Sequence, residues 1–197
     1  MKVKLAAAMA VLSLAVFAGA AVAQALVGAD GNTSAKIVLH YTGVAVANTQ
    51  APPNTSAFTA WCGTTCVSSV MQPVYDPATG ELRGQIYVWT KDFVFAPDGK
   101  SLCFGEFIWF ALAEGSVYTH SGSNGTCGAF IDPSLKAPTH ISGPGQVIGG
   151  GGDGTIVGGT GKFAKWNGTY TDRVFVEFSF TGAANYYDQM FFAISKG

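Results

Sequence analysis

The stretch DGTIVGGTGKFAKWNGTY, Asp153 to Tyr170, sets Gly158, Gly159, Gly161 and Lys162 among β-branched and aromatic residues. It has two readings, a loop that cradles phosphate or a bend in a β-sheet. A Walker A loop requires Gly-x4-Gly-Lys-Ser/Thr, because its hydroxyl must reach magnesium. Here Ile156 stands where the first glycine belongs and Phe163 where the hydroxyl belongs. A dinucleotide fingerprint can be spaced onto Gly149, Gly151 and Gly154, or onto Gly159, Gly161 and Ala164. Such a fingerprint must follow a strand and open a helix, and Trp166-Asn167-Gly168 blocks that helix. The glycines therefore read as a bend, where φ > 0 or close backbone approach is needed.

Working outward, the chain reads as strand after strand, rich in Phe, Tyr, Val, Ile and Thr, with 26 glycines and few charges. This is an all-β composition. Lys36 to Val46 is the first strand candidate, followed by a Pro/Asn/Thr loop that Cys62 and Cys66 are placed to staple. Along RGQIYVWTKDFVF, Gly84, Ile86 and Val88 alternate with Arg83, Gln85, Tyr87 and Trp89. In LCFGEFIWFALAEG, Phe104, Glu106, Ile108, Phe110 and Leu112 share one face. The other face carries Cys103, Phe107 and Trp109, so the strand is expected to be covered on both sides. TCGAFID returns antiparallel, and APTHISGPGQVIGGGGDG reads as a mobile Gly/Pro connector. Three strand-like pieces follow, TIVGGTGKF, GTYTDRVFVEFSF and NYYDQMFFAIS.

Residues 1–23 have Lys2 and Lys4, an apolar core and a small-residue end at Ala21-Val22-Ala23. That is the layout of a cleaved secretory signal, giving a secreted or periplasmic protein that starts near Gln24, with a leader at 24–35 and one domain at 36–197. No second apolar span follows it. Without the signal, the charge is 9 − 12 = −3, which provides no electrostatic footprint for nucleic acid. All four cysteines lie in the exported part, so two disulfides are expected. Three connectivities are open, and we expect the local one, Cys62–Cys66 and Cys103–Cys127. Cys-x3-Cys without a neighbouring His cluster argues against a metal site.

TIVGGTGKFAKWNGTY resembles the Val-Gly-Gly-Thr-Gly-Lys-Phe stretch of dirigent proteins and the related glycine segment of allene oxide cyclases. The order of its neighbours agrees over about Lys36 to Ser195: IVLHYTGVAV, GELRGQIYVW with Tyr87, FIWFALAEGSVY, and a closing YYDQMFFAIS. The resemblance implies a closed, calycin-type barrel of eight antiparallel strands with a hydrophobic lumen, commonly a homotrimer. Such barrels bind an apolar small molecule and steer its cyclisation or coupling without a cofactor. Two departures stand out: His40 is followed by Tyr41 rather than an aspartate, and no arginine precedes Asp153.

Within that frame Glu106 is the leading acid or base, since desolvation on an apolar face raises a carboxyl pKa. Ion pairing with Arg83 is the structural alternative. Tyr87 matches the family tyrosine and is a donor to a substrate oxygen. His40, Trp89 and Phe110 are pocket candidates, with core packing as the plain alternative for each. No Gly-x-Ser-x-Gly elbow occurs, so a hydrolase triad has no support. Carriage of a hydrophobic molecule without turnover, or a structural barrel with a filled lumen, are the competing functions. The even cysteine count predicts that thiol titration of the native exported protein finds no free thiol, and four after reduction and unfolding; two or more in the native state would contradict the pairing.

Overall fold

The alternation along Leu82–Phe95 and Ser101–Leu112 becomes two long paired strands in the computed structural model, which describes residues 25–27, 33–97, 99–122, 125–130, 145–179 and 185–196. The strands are β1 (Ala25–Val27), β2 (Thr33–Ala47), β3 (Val67–Tyr75), β4 (Leu82–Phe95) and β5 (Ser101–Leu112). They continue with β6 (Gly115–His120), β7 (Thr126–Phe130), β8 (Gly145–Gly159), β9 (Gly168–Ser179) and β10 (Asn185–Lys196). The fold is all-β and its pairings are antiparallel, in the order β1-β2-β10-β9-β8-β6-β5-β4-β3. In addition β2 pairs with β3, with a register shift between His40 and Val46. The signal assigned to residues 1–23 lies outside the described residues. Strand structure reaches into the expected leader, because β1 pairs with the start of β2 at Thr33.

Strands β6 and β7 lie one after the other along β5 and along β8. Phe107 faces His120 and Phe104 faces Thr126, so three steps on β5 match six on its partner. Residues 121–125 stand there against two on β5, and the ladder is interrupted by a bulge larger than the usual single residue. They bring Cys103 opposite Cys127, and the two are bridged. Cys62 and Cys66 are also bridged. The expected pairing therefore holds among the described residues, which contain no free cysteine.

One face of the sheet gathers Leu39, Val74, Ile86, Val88, Ile108, Phe110, Leu112, Val117, Ile156 and Tyr170 into a buried cluster. Opposite, Trp89 and Phe107 pack under a short helix, α1 (Ser56–Cys62), through Phe58 and Trp61. The sequence reads this segment as a loop, and seven residues are too few for a helix to persist by propensity. Thr55 makes it possible by accepting the Phe58 N–H at 3.1 Å. The Phe58 ring then meets Trp89 and Phe107 edge-on at 5.1 and 5.0 Å.

The glycine motif is the end of β8 and the turn that follows it. Gly158 and Gly159 finish the strand, and Gly161 starts a 3-10 turn at φ +55°, a left-handed position suited to glycine. The turn docks on the β5–β6 hairpin: Thr160 N–H donates to Ser116 O at 2.9 Å and Lys162 N–H to Glu114 O at 3.0 Å. Phe163 is buried beneath it, and the Lys162 side chain is exposed. The connector expected to be mobile is corrected in its second half, since Gly145 to Gly154 is strand. Composition points to a loop there, whereas close packing demands glycine: a Cβ at Gly150 would run into the Cys127 carbonyl and the Gly128 backbone.

Closing a longer loop removes more entropy from the unfolded chain, so the two bridges differ in weight. Their separations are 24 and 4 residues. Replacing Cys103 and Cys127 by alanine is expected to lower stability in urea by about 3 kcal/mol, against about 2 kcal/mol for the Cys62/Cys66 pair.

Candidate functional site

Glu106 lies on β5 opposite Thr90, on the same face as Ile108, Phe110 and Leu112. It is only 6% exposed. Its backbone is clamped to the bulge, with Glu106 N–H donating to Ser121 Oγ and Ser121 N–H returning to Glu106 O, both at 2.9 Å. The Ser121 carbonyl accepts from Trp61 Nε1 at 3.2 Å, which ties the bulge to α1. The Tyr170 hydroxyl donates to Glu106 Oε1 at 3.4 Å. Asp172 and Thr126 are buried with them, so two acids, a phenol and a hydroxyl share a mainly apolar face that also buries Gln72, Thr90 and Thr119.

Glycines make room for this cluster. Register places Gly152 opposite Asp172 and Gly154 opposite Tyr170. A Cβ at Gly154 would press on the His120 carbonyl at 2.3 Å and the Tyr170 ring at 2.6 Å, and one at Gly152 on Thr126 Oγ1 at 2.6 Å. Part of the glycine run is thus explained by what it packs against, rather than by phosphate.

Burial drives the Glu106 pKa up, and the negative charge of Asp172 adds to the rise, to about 8; the hydroxyls of Thr126 and Tyr170 pull the other way. Tyr170 is also raised, by burial first and then by the Glu106 and Asp172 charges. At neutral pH Glu106 therefore holds its proton and can donate a hydrogen bond. A carboxyl that titrates near neutrality is suited to passing a proton in either direction.

The other residues singled out from sequence fall elsewhere. Tyr87 stands on the opposite face from Glu106, against Trp109 at 5.1 Å, so these two do not meet. Period-two alternation requires this, because Tyr87 shares parity with Trp89 while Ile86 and Val88 turn toward the Glu106 face. Trp89 is buried under α1, and Phe110 is buried in the cluster that flanks Glu106. His40 pairs with Met190 and Tyr75 in the backbone ladder, and its side chain lies outside the described residues. Arg83 binds Asp76 and Glu114 rather than Glu106. Tyr170, Asp172, Thr126 and Ser121 were missed. Alternation offered a signal for the first two, since the face of Val174 and Val176, extended back along the strand, carries Asp172 and Tyr170.

An open groove of about 840 Å³ follows Gly149–Gly154 and Thr169–Arg173. Tyr170 and Asp172 are 2% exposed, so they present mainly backbone to it; its exposed side chains are those of Asp153, Thr169, Thr171 and Arg173. Among the described residues no group of three or more His, Cys, Asp or Glu is placed to hold a metal ion, and no helix is long and apolar enough to cross a membrane. Neither protein-family models, nor curated proteins, nor solved structures give a match to this chain.

The raised pKa has a stability consequence. In the unfolded chain Glu106 ionises near 4.5, whereas in the fold it keeps its proton to about 8. Between those values the folded state binds more protons, so stability falls as pH rises and levels off above about 8. The slope for one group reaches about 1.4 kcal/mol per pH unit. Glu106→Gln should remove that slope between pH 5 and 8, which urea unfolding at several pH values would show; an unchanged slope would contradict it.

Proposed function

We propose that this protein is an exported, closed barrel of eight ring positions that encloses an apolar small molecule, whose polar end meets Glu106, Tyr170 and Asp172. The carrying observation is the placement of two carboxyls and a phenol on the apolar face that gathers residues of β2 through β9. Support for closure comes from the pairings, which run β2-β10-β9-β8, then β6 and β7 in one position, then β5-β4-β3 and back to β2. Closure also removes the open edges that strands of this apolarity would otherwise expose. The two disulfides favour an oxidising, exported setting.

Resemblance to the dirigent and allene oxide cyclase barrels supports the same architecture, a trimeric assembly and cofactor-free handling of an apolar molecule. A second reading, turnover by proton transfer, is favoured by the neutral-range pKa of Glu106. In it Glu106 donates its proton to a ligand oxygen, and the resulting carboxylate takes back the proton that the ligand gives up as it becomes product. Tyr87 has no part in this chemistry, since it stands on the other face.

Naphthalene and 1-naphthol separate the polar and apolar contributions, because they differ by one hydroxyl. Calorimetry should find saturable uptake of both, with 1-naphthol at least tenfold tighter. Replacing both Glu106→Gln and Tyr170→Phe should reduce that preference below threefold while naphthalene still binds. Absence of saturable uptake of either compound would overturn the enclosed-ligand reading.

A further inference from the structure

On the face away from Glu106, the register lines up Met71, Tyr87, Trp109 and Tyr118 on four consecutive strands, β3 to β6. All four are half-buried. The Tyr87 and Trp109 rings lie 5.1 Å apart and those of Trp109 and Tyr118 6.0 Å apart, so they form one continuous aromatic ribbon. Trp109 is held in place by its Nε1–H donating to Ser116 Oγ at 2.9 Å. Next in register runs Gln85, level with Ser116 through Ala111. Beyond Tyr118 the ladder reaches Gly158, beside which a Cβ would meet nothing, so that end of the ribbon is open.

The ribbon has defined limits. On one side the next row, Trp89 and Phe107, is covered by α1. On the other stands Arg83, engaged by Asp76 and Glu114. Four strands at about 4.8 Å and two outward rows at about 6.8 Å enclose on the order of 300 Å². A stable protein interface needs about 800 Å² from each partner, which makes a second copy or another folded protein a poor fit. The two rows carry aromatic, amide and hydroxyl groups and no ionised side chain, so a charged polymer gains nothing there.

We propose that this ribbon is a binding platform for a neutral glycan, with sugar rings stacked on Tyr87, Trp109 and Tyr118. The apolar C–H face of a pyranose matches an aromatic face, and its hydroxyls find the tyrosine hydroxyls and the Gln85 amide at the edges. Trp and Tyr supply rigid contact area with little entropy to lose, and here the register sets them side by side with neighbouring rings tilted by 47° and 43°. The setting agrees with the chemistry, because the bridged cysteines favour an exported chain, which meets glycans outside the cytosol. This platform is independent of the enclosed-ligand reading, since it lies on the opposite face.

Affinity electrophoresis of the full chain through native gels containing hydroxyethylcellulose, xylan or laminarin tests it, with calorimetry on the oligosaccharide of whichever polymer retards it most. At least one neutral polymer should retard the protein, and Trp109→Ala should weaken binding tenfold or more. Ala111→Glu keeps every ring but places a charge on the platform; it should weaken binding comparably while circular dichroism stays native. Glu106→Gln should leave glycan binding unchanged, which separates this site from the enclosed one. Absence of retardation in all three gels, equal retardation of the Ala111→Glu variant, or self-association of the wild type abolished by that variant would each overturn the proposal.

Discussion

The three extra positions between β6 and β7 are the constraint on which both faces of the sheet depend. Without them the hairpin register that pairs Phe107 with His120 would continue, and Cys103 would face a residue three positions short of Cys127. With them, the bridge closes across directly opposed residues, and Ser121 is left at the point where the ladder breaks. There it bonds the Glu106 backbone twice and accepts from Trp61. One residue thus joins the buried acid, the bulge and the helix on the far side of the sheet. Disturbance of α1 therefore reaches Glu106 through hydrogen bonds, although the helix touches the other face.

Period-two alternation divides the work between the faces. Ile86, Val88, Ile108 and Phe110 turn one way with Glu106, while Tyr87, Trp89, Phe107 and Trp109 turn the other way. Each strand of the β4–β5 pair is apolar on both sides, yet for different reasons. One side is core with a buried polar cluster; the other is partly roofed by α1 and partly left as half-buried aromatics. The helix covers Trp89 and Phe107, and Tyr87, Trp109 and Tyr118 pack half-buried against that cluster. Its length is limited by Gly63, at φ +56°, and the Cys62–Cys66 bridge that follows.

Much of this was legible from the sequence wherever a local rule governs. Alternation located β4 and β5 and gave Glu106 its face; spacing excluded the Walker loop at Ile156 and Phe163; an even cysteine count led to two disulfides, with the local pairing chosen among three open connectivities. What escaped was set by tertiary contact. Helix α1 exists because Thr55 caps it and Phe58 finds an aromatic bed, neither of which a seven-residue window reveals. The glycines of β8 look like a flexible connector, since nothing local shows that neighbouring backbones leave no room for a Cβ. Tyr87 was singled out by resemblance and Glu106 by its apolar face, and it is the β4–β5 register, Tyr87 against Trp109 and Thr90 against Glu106, that separates them. Tyr170 and Asp172 lie more than sixty positions from Glu106 and join it only through the β8–β9 register.

The buried acid pair is also the feature that stability by itself does not explain. Two carboxyls close together in an apolar setting repel and lose hydration, and well-packed apolar residues of similar volume would serve the core as well or better. The hydrogen bonds from Ser121 do not need the carboxyl, because they engage the Glu106 backbone. Leucine at 106 would preserve them and remove the desolvation cost that drives the pKa upward. Glu106 and Asp172 nevertheless stay together, beside Gly152 and Gly154, where a Cβ would meet Thr126 and Tyr170 as well as the backbone of Gly125 and His120. That makes the cluster, more than any single residue in it, the place where the buried polar groups of this face are concentrated.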